Sequence, residues 1–212
     1  MKKIKFNLSI LLCLFTFPLF AKFNLADLRA GDVLLISLNC FECRMIESET
    51  NSAFSHSGVV VVDQNGQLKI AQSLGRLDLF TYEAFTKNKT PQSTLSVYRP
   101  KEFKNIKGLK LKKLELDMYN VFVEKFKNAP FDSKYLWNNF STSGAELLYC
   151  SEFIAKYLDY FLSKKTIPFP ITYQKHYDYW LQYFKGVVPE GELGNSPASF
   201  SRDERFEFVG TL

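Results

Sequence analysis

The sequence predicts an α+β domain, an antiparallel sheet with helices packed against it. Three observations lead there. Strand-like segments fall in the first half of the chain and helix-periodic segments in the second. Asp63-Gln64-Asn65-Gly66 stands between two apolar runs and reads as a hairpin turn, which makes the strands it joins antiparallel. The length, 212 residues, suits one domain with a substantial core better than two. A hydrophobic content of 46% and an aromatic content of 16% exclude a disordered chain.

Taken in order, residues 25–31 read as a short helical entry and residues 32–37 as a buried strand. Residues 40–49 read as a short helix carrying Phe41, Met45 and Ile46. Val59-Val60-Val61-Val62 is the clearest strand, continuous and β-branched, and residues 68–73 are its hairpin partner. Residues 79–86 read as a helix and residues 95–98 as a further strand. The longest helix is expected over residues 104–128. There Leu111, Leu114, Met118, Val121, Phe122 and Phe126 recur at helical spacing and the lysines between them form a wet face. Asn128-Ala129-Pro130 breaks it. Phe153, Ile154, Tyr157, Leu158 and Phe161 then make an apolar helical stripe. Residues 173–184 are aromatic and helical in pattern, the tail at 189–201 is turn-rich, and residues 206–209 suggest an edge strand.

The first 21 residues have the form of a signal peptide. Lys2, Lys3 and Lys5 precede an apolar run from Phe6 to Phe20, and Ala21 is the expected last residue before cleavage, leaving 22–212 as the domain. An uncleaved membrane anchor is the alternative. The whole chain carries a formal charge of +5. Those 21 residues hold three of its 27 Lys and Arg and none of its 22 Asp and Glu, so cleavage leaves +2, which gives no case for a nucleic-acid partner. Cleavage also removes Cys13 and leaves Cys40, Cys43 and Cys150. If the first two close on each other, Cys150 remains as a free thiol in an exported protein.

Cys150 sits where a polar, irregular run meets an apolar helical one, at or near a helix N-terminus. The helix dipole and free N–H groups favour a thiolate there. A thiol hydrolase also needs an imidazole, and the chain offers two. His56, at the mouth of a strand with Gly58 behind it, is better placed than His176, which reads as a surface helix residue. The hairpin sets Gln72 beside His56, where its amide oxygen can hold the ring's tautomer. Asp32 is the alternative orienter and Glu83 a third. The Cys150 backbone N–H is the expected oxyanion donor, with Tyr149, Ser151 and Asp32 as further oxyanion or substrate-binding candidates. Glu152 is assigned to stabilising the first helical turn. Two histidines and three cysteines, with only Cys40 and Cys43 close together, make no zinc site, and no glycine-rich phosphate loop is present. No metal and no cofactor is expected.

Gly31-Asp32-Val33, Phe54-Ser55-His56-Ser57-Gly58-Val59-Val60, a strand ending Ala71-Gln72, and Leu148-Tyr149-Cys150-Ser151-Glu152 together resemble the YiiX/YaeF-like permuted papain-like amidases. These are circularly permuted relatives of the NlpC-type cell-wall hydrolases, with the histidine strands before the cysteine helix. Pro130-Phe131-Asp132 and the segment from Gly191 to Pro197 are similar to that group as well, and the resemblance spans roughly residues 28–209. It departs at Gln72, where relatives often carry an acidic residue or a histidine. The resemblance implies a papain-like fold and a thiol hydrolase acting on an amide or ester bond, in cell-wall peptides or N-acyl, lipid-like amines, with peripheral membrane association as one setting. A non-catalytic binding protein on the same fold is the alternative.

Overall fold

The computed structural model describes residues 23–212. The expected leader and its cleavage site lie outside them. Six strands build one sheet: β1 (Val33–Ile36), β2 (His56–Val62), β3 (Leu68–Leu74), β4 (Arg76–Phe80), β5 (Ser96–Pro100) and β6 (Phe206–Thr211). Their order is β6-β5-β1-β2-β3-β4, and every neighbouring pair is antiparallel. The α+β class and the antiparallel sheet are as the sequence predicts.

The central strands are buried on both faces, which is why Val59–Val62 reads as a continuous apolar run instead of an alternating one. Period two splits them between two cores. Leu35, Val59, Val61 and Ala71 pack with Met118, Phe122, Phe126, Phe153 and Tyr157. Leu34, Ile36, Val60 and Ile70 pack with Cys43 and Phe85. The first core is roofed by α3 (Gly108–Val121) and α4 (Cys150–Leu158), and the second receives α1 (Phe41–Glu49) and α2 (Tyr82–Thr86). Helix α3 ends in a π-helical turn, Phe122–Phe126, closed by Lys127 N–H donating to Phe122 O at 2.9 Å. Tyr157 Oη donates to Met118 O at 2.7 Å and ties the two roofing helices together.

The predicted helix over residues 79–86 is corrected. Arg76–Phe80 is a strand that doubles back on β3 through Gly75, whose φ of +81° suits glycine, and only Tyr82–Thr86 is helical. Thr81 marks the boundary: its hydroxyl caps the helix by accepting Ala84 N–H at 3.2 Å. Residues 173–184 contain a shorter helix, α5 (Tyr177–Tyr183). No helix among the described residues is long and apolar enough to cross a membrane.

Candidate active site

Cys150 is the first residue of α4. Tyr149 is the N-cap, in extended conformation and without a side-chain cap, and the first helical bond runs from Phe153 N–H to Tyr149 O. The N–H groups of the first turn, Cys150 included, therefore have no carbonyl within the helix. Two contacts fix this end. Ser73 Oγ donates to Leu148 O at 2.6 Å, and Leu148 N–H donates to Pro130 O at 3.0 Å.

His56 opens β2, and the Cys150 thiol is its electrostatic partner. One ring nitrogen, Nε2, lies 2.6 Å from Gln72 Oε1. An amide oxygen only accepts, so Nε2 carries the proton and Nδ1 is left for the sulfur. Both side chains are buried, His56 at 3% exposure and Gln72 at 3%. The β2–β3 register pairs Val59 with Ala71, one residue from the pairing the turn suggests, and keeps Gln72 next to the start of β2.

The electrostatics are mutual. Burial alone would push the His56 imidazolium down, but the Cys150 charge, the hydrogen bond to it and Gln72 together hold its pKa above the ordinary 6.5. Burial likewise pushes the Cys150 thiol up. The His56 charge, the hydrogen bond with it and contacts from Ser57 outweigh burial and leave the thiol below its ordinary 9.0. Ser57 was not singled out by sequence, although it adjoins His56. Its backbone N–H and hydroxyl favour the thiolate, and its buried Oγ has no hydrogen-bond partner among the described residues.

Asn195 is the second residue that sequence reasoning missed. Its N–H donates to Tyr149 Oη at 2.9 Å and its Nδ2 donates to Ser151 O at 2.9 Å, so it clamps both residues flanking Cys150. The one available signal was its place in the Gly191–Pro197 motif. Tyr149 and Ser151 are thereby held beside the thiol, with Ser151 fully buried and its hydroxyl unpartnered among the described residues. Burial keeps the Tyr149 phenol protonated. The thiol opens into a narrow cleft of about 70 Å³ walled by Ile46, Tyr135, Tyr149, Ile171, Tyr173 and Trp180. Tyr173 and Trp180 line it as well as packing, whereas Tyr177 is 42% exposed and Tyr179 packs edge-on against Phe41.

Other expectations separate from this cluster. Asp32 is not an orienter of His56. It is fully buried, and its two oxygens accept Arg99 Nε and Nη2, each at 2.7 Å, beside the Val60 end of β2. That bidentate contact makes it an internal ion pair, although burial pushes its carboxyl up. Glu83 sits in the first turn of α2 and is itself exposed. His176 bonds Ser48 Oγ through Nε2 at 2.8 Å. Glu152 does more than favour the helix start. It is fully buried, accepts Asn138 N–H at 3.0 Å and pairs with Lys156 at 2.7 Å, with burial pushing its pKa up to about 7. It therefore pins the loop leading into α4. Cys40 and Cys43 form a disulfide on α1, and Cys150 is the free cysteine among the described residues. No group of three or more His, Cys, Asp or Glu that could hold a metal occurs among those residues.

Comparison with known proteins gives one kind of match. No family model and no curated protein matches the sequence. Among solved structures, the metalloprotein YiiX from Escherichia coli O157:H7 (DUF1105) superposes with a TM-score of 0.72 over 87% of this chain and 97% of its own, at 15% sequence identity. The chain therefore has the fold of YiiX, the group that its Ser-His-x-Gly and Tyr-Cys-Ser-Glu segments resemble.

Proposed function

We propose that this protein is an exported thiol hydrolase that cleaves an amide or ester bond. The observation that carries the reading is the line Cys150–His56–Gln72, in which the thiol is held below and the imidazole above its ordinary pKa. Cys150 Sγ, as thiolate, attacks the substrate carbonyl, and the Cys150 N–H at the open helix start receives the developing oxyanion. His56 then gives its Nδ1 proton to the leaving amine or alcohol and later takes one from the water that releases the acyl group. Gln72 keeps the ring in the tautomer and orientation that this requires. Cell-wall peptides and N-acyl, lipid-like amides are the substrate classes, and the apolar walls of the cleft suit an acyl group.

The metal in the neighbour's name is not carried over. Cys150 and His56 lie together with an amide instead of a third metal donor, and no cluster of three donors exists among the described residues. The leader-like first 21 residues and the Cys40–Cys43 disulfide support a setting outside the cytoplasm.

The test is labelling with an acyl-type thiol electrophile followed by turnover of peptide and N-acyl amide substrates. The wild type should label at Cys150 and turn over, and Cys150→Ala should do neither. His56→Ala should lose about 10²–10⁴-fold in turnover. A folded wild type that binds such substrates without ever hydrolysing them would make this a binding protein on a hydrolase fold.

A further inference from the structure

A second, larger groove of about 750 Å³ adjoins the thiol cleft, and Asn195 lines both. Its wall includes Lys164, Lys165, Thr166, Ile167 and Phe169, two basic residues followed by exposed apolar ones. Ile167 is 86% exposed and Phe169 45%, a costly arrangement for two large apolar residues facing water. Pro168 and Pro170 flank Phe169 and restrict the backbone there, so little further ordering is needed for that side chain to be presented.

This segment is anchored to the cysteine. Phe169–Pro170 pairs with Leu193–Gly194, and Leu193 adds another half-exposed apolar side chain. At Gly194 a Cβ would meet Ile171 Cδ1 at 2.3 Å and Tyr149 Oη at 2.9 Å, so the pair lies directly on the residue preceding Cys150. Positions 167, 169 and 171 thus form an apolar series running from an exposed tip to the wall of the thiol cleft.

The charge beside the series is positive. The groove is lined by Lys164, Lys165, Arg202 and Arg205 against Asp203 and Glu204. Arg205 is taken up by Asp203, and Lys164 reaches Glu204 only at 3.4 Å with both side chains exposed. Lys165 donates to the carbonyls of Asp159 and Leu162, and Arg202 to those of Thr50 and Asn51, contacts that leave their charge unneutralised. Exposed apolar side chains rimmed by such cations match a bilayer surface carrying anionic headgroups.

We propose that the segment 164–171 docks the protein on an anionic lipid surface. Ile167 and Phe169 enter the interface, Lys164, Lys165 and Arg202 meet the headgroups, and the mouth of the Cys150 cleft is set against the lipid. On the hydrolase reading, on which this last point rests, the substrate is an N-acyl, lipid-like amide that enters along Ile167, Phe169 and Ile171.

Hydrogen exchange of the full chain, resolved by peptide, tests the docking without any need for turnover. With phosphatidylcholine vesicles containing phosphatidylglycerol, residues 164–171 should gain protection. That protection should fade in high salt and be absent with phosphatidylcholine alone. Ile167→Asp, at a position open to solvent, should fold normally and weaken the vesicle-dependent protection of the segment roughly fivefold or more. Protection confined to the N-terminal residues, protection equal on neutral and anionic vesicles, or an unchanged response in Ile167→Asp would each overturn the proposal. Docking by a chain that hydrolyses nothing would leave this surface standing and remove the hydrolase reading alone.

Discussion

At the scale of single residues, the thiol's reactivity rests on a charge balance that one substitution can tip. Burial works against both charged forms, and the ion pair survives because each partner offsets the other's desolvation. His56, raised, contributes fully below its ordinary 6.5, and its contribution is lost as pH rises through its folded value. Cys150, lowered, contributes fully above its ordinary 9.0, and its contribution is lost as pH falls through its folded value. The rate of iodoacetamide alkylation should therefore rise with pH around a midpoint below 9.0 in the wild type. In His56→Ala the midpoint should move to higher pH, because only the helix start and Ser57 then favour the thiolate. Gln72→Ala should move it less while lowering turnover about tenfold or more, since it loosens the ring without removing the charge. Cys40 and Cys43 are replaced by serine in all three proteins so that one thiol reports. A midpoint unmoved by His56→Ala would remove His56 as the partner of Cys150.

At the scale of elements, the site depends on how closely the hairpin and α2 approach. Gly58 lies between His56 and Val60 on β2. A Cβ there would come within 2.5 Å of Ile70 Cγ2 and 2.7 Å of Phe85 Cε2. The groups that approach this glycine are thus two core side chains. Phe85 also lies beside the His56 ring, with centroids 5.7 Å apart. Gly58→Ala should destabilise the fold by about 1–3 kcal/mol and, by displacing Phe85, lower turnover beyond what the loss of folded protein explains. Chemical denaturation and specific activity of the folded fraction measure the two effects separately. An unchanged specific activity would show that Phe85 does not seat the imidazole.

For the whole molecule, the disulfide and the thiol site are separate devices. Cys40 and Cys43 are three residues apart at the start of α1, whereas the site is built from β2, β3 and α4. A bridge across so short a loop removes little chain entropy, so Cys40→Ser/Cys43→Ser should cost at most about 2 kcal/mol and leave turnover intact. Thermal melting and an activity assay check both halves. A folded double variant without hydrolysis would point instead to redox chemistry on α1. The whole chain also decides what the cleft's walls are made of. Tyr173 and Trp180, from the segment after α4, come to line the same cleft as Ile46 of α1.

The sequence by itself determined the elements whose signal is local. The apolar run at Val59–Val62, the Asn65-Gly66 turn and the stripe behind Cys150 each lie within a short window, and each was legible there. The hairpin is local enough that Gln72 could be set beside His56 from the turn alone, with a register error of one residue. The strand Arg76–Phe80 was missed because its alternation is short and runs into the helix that Thr81 caps, so its pairing with β3 carried the information. Only the tertiary structure decided what depends on distant partners. Asp32 looks available in sequence until Arg99, on another strand, takes both of its oxygens. Asn195, 45 residues beyond Cys150, enters the site because folding lays the Leu193–Gly194 pair against Tyr149. Such contacts are set by packing between elements, and hydrophobic periodicity specifies which face of an element is buried without naming the side chain it will meet.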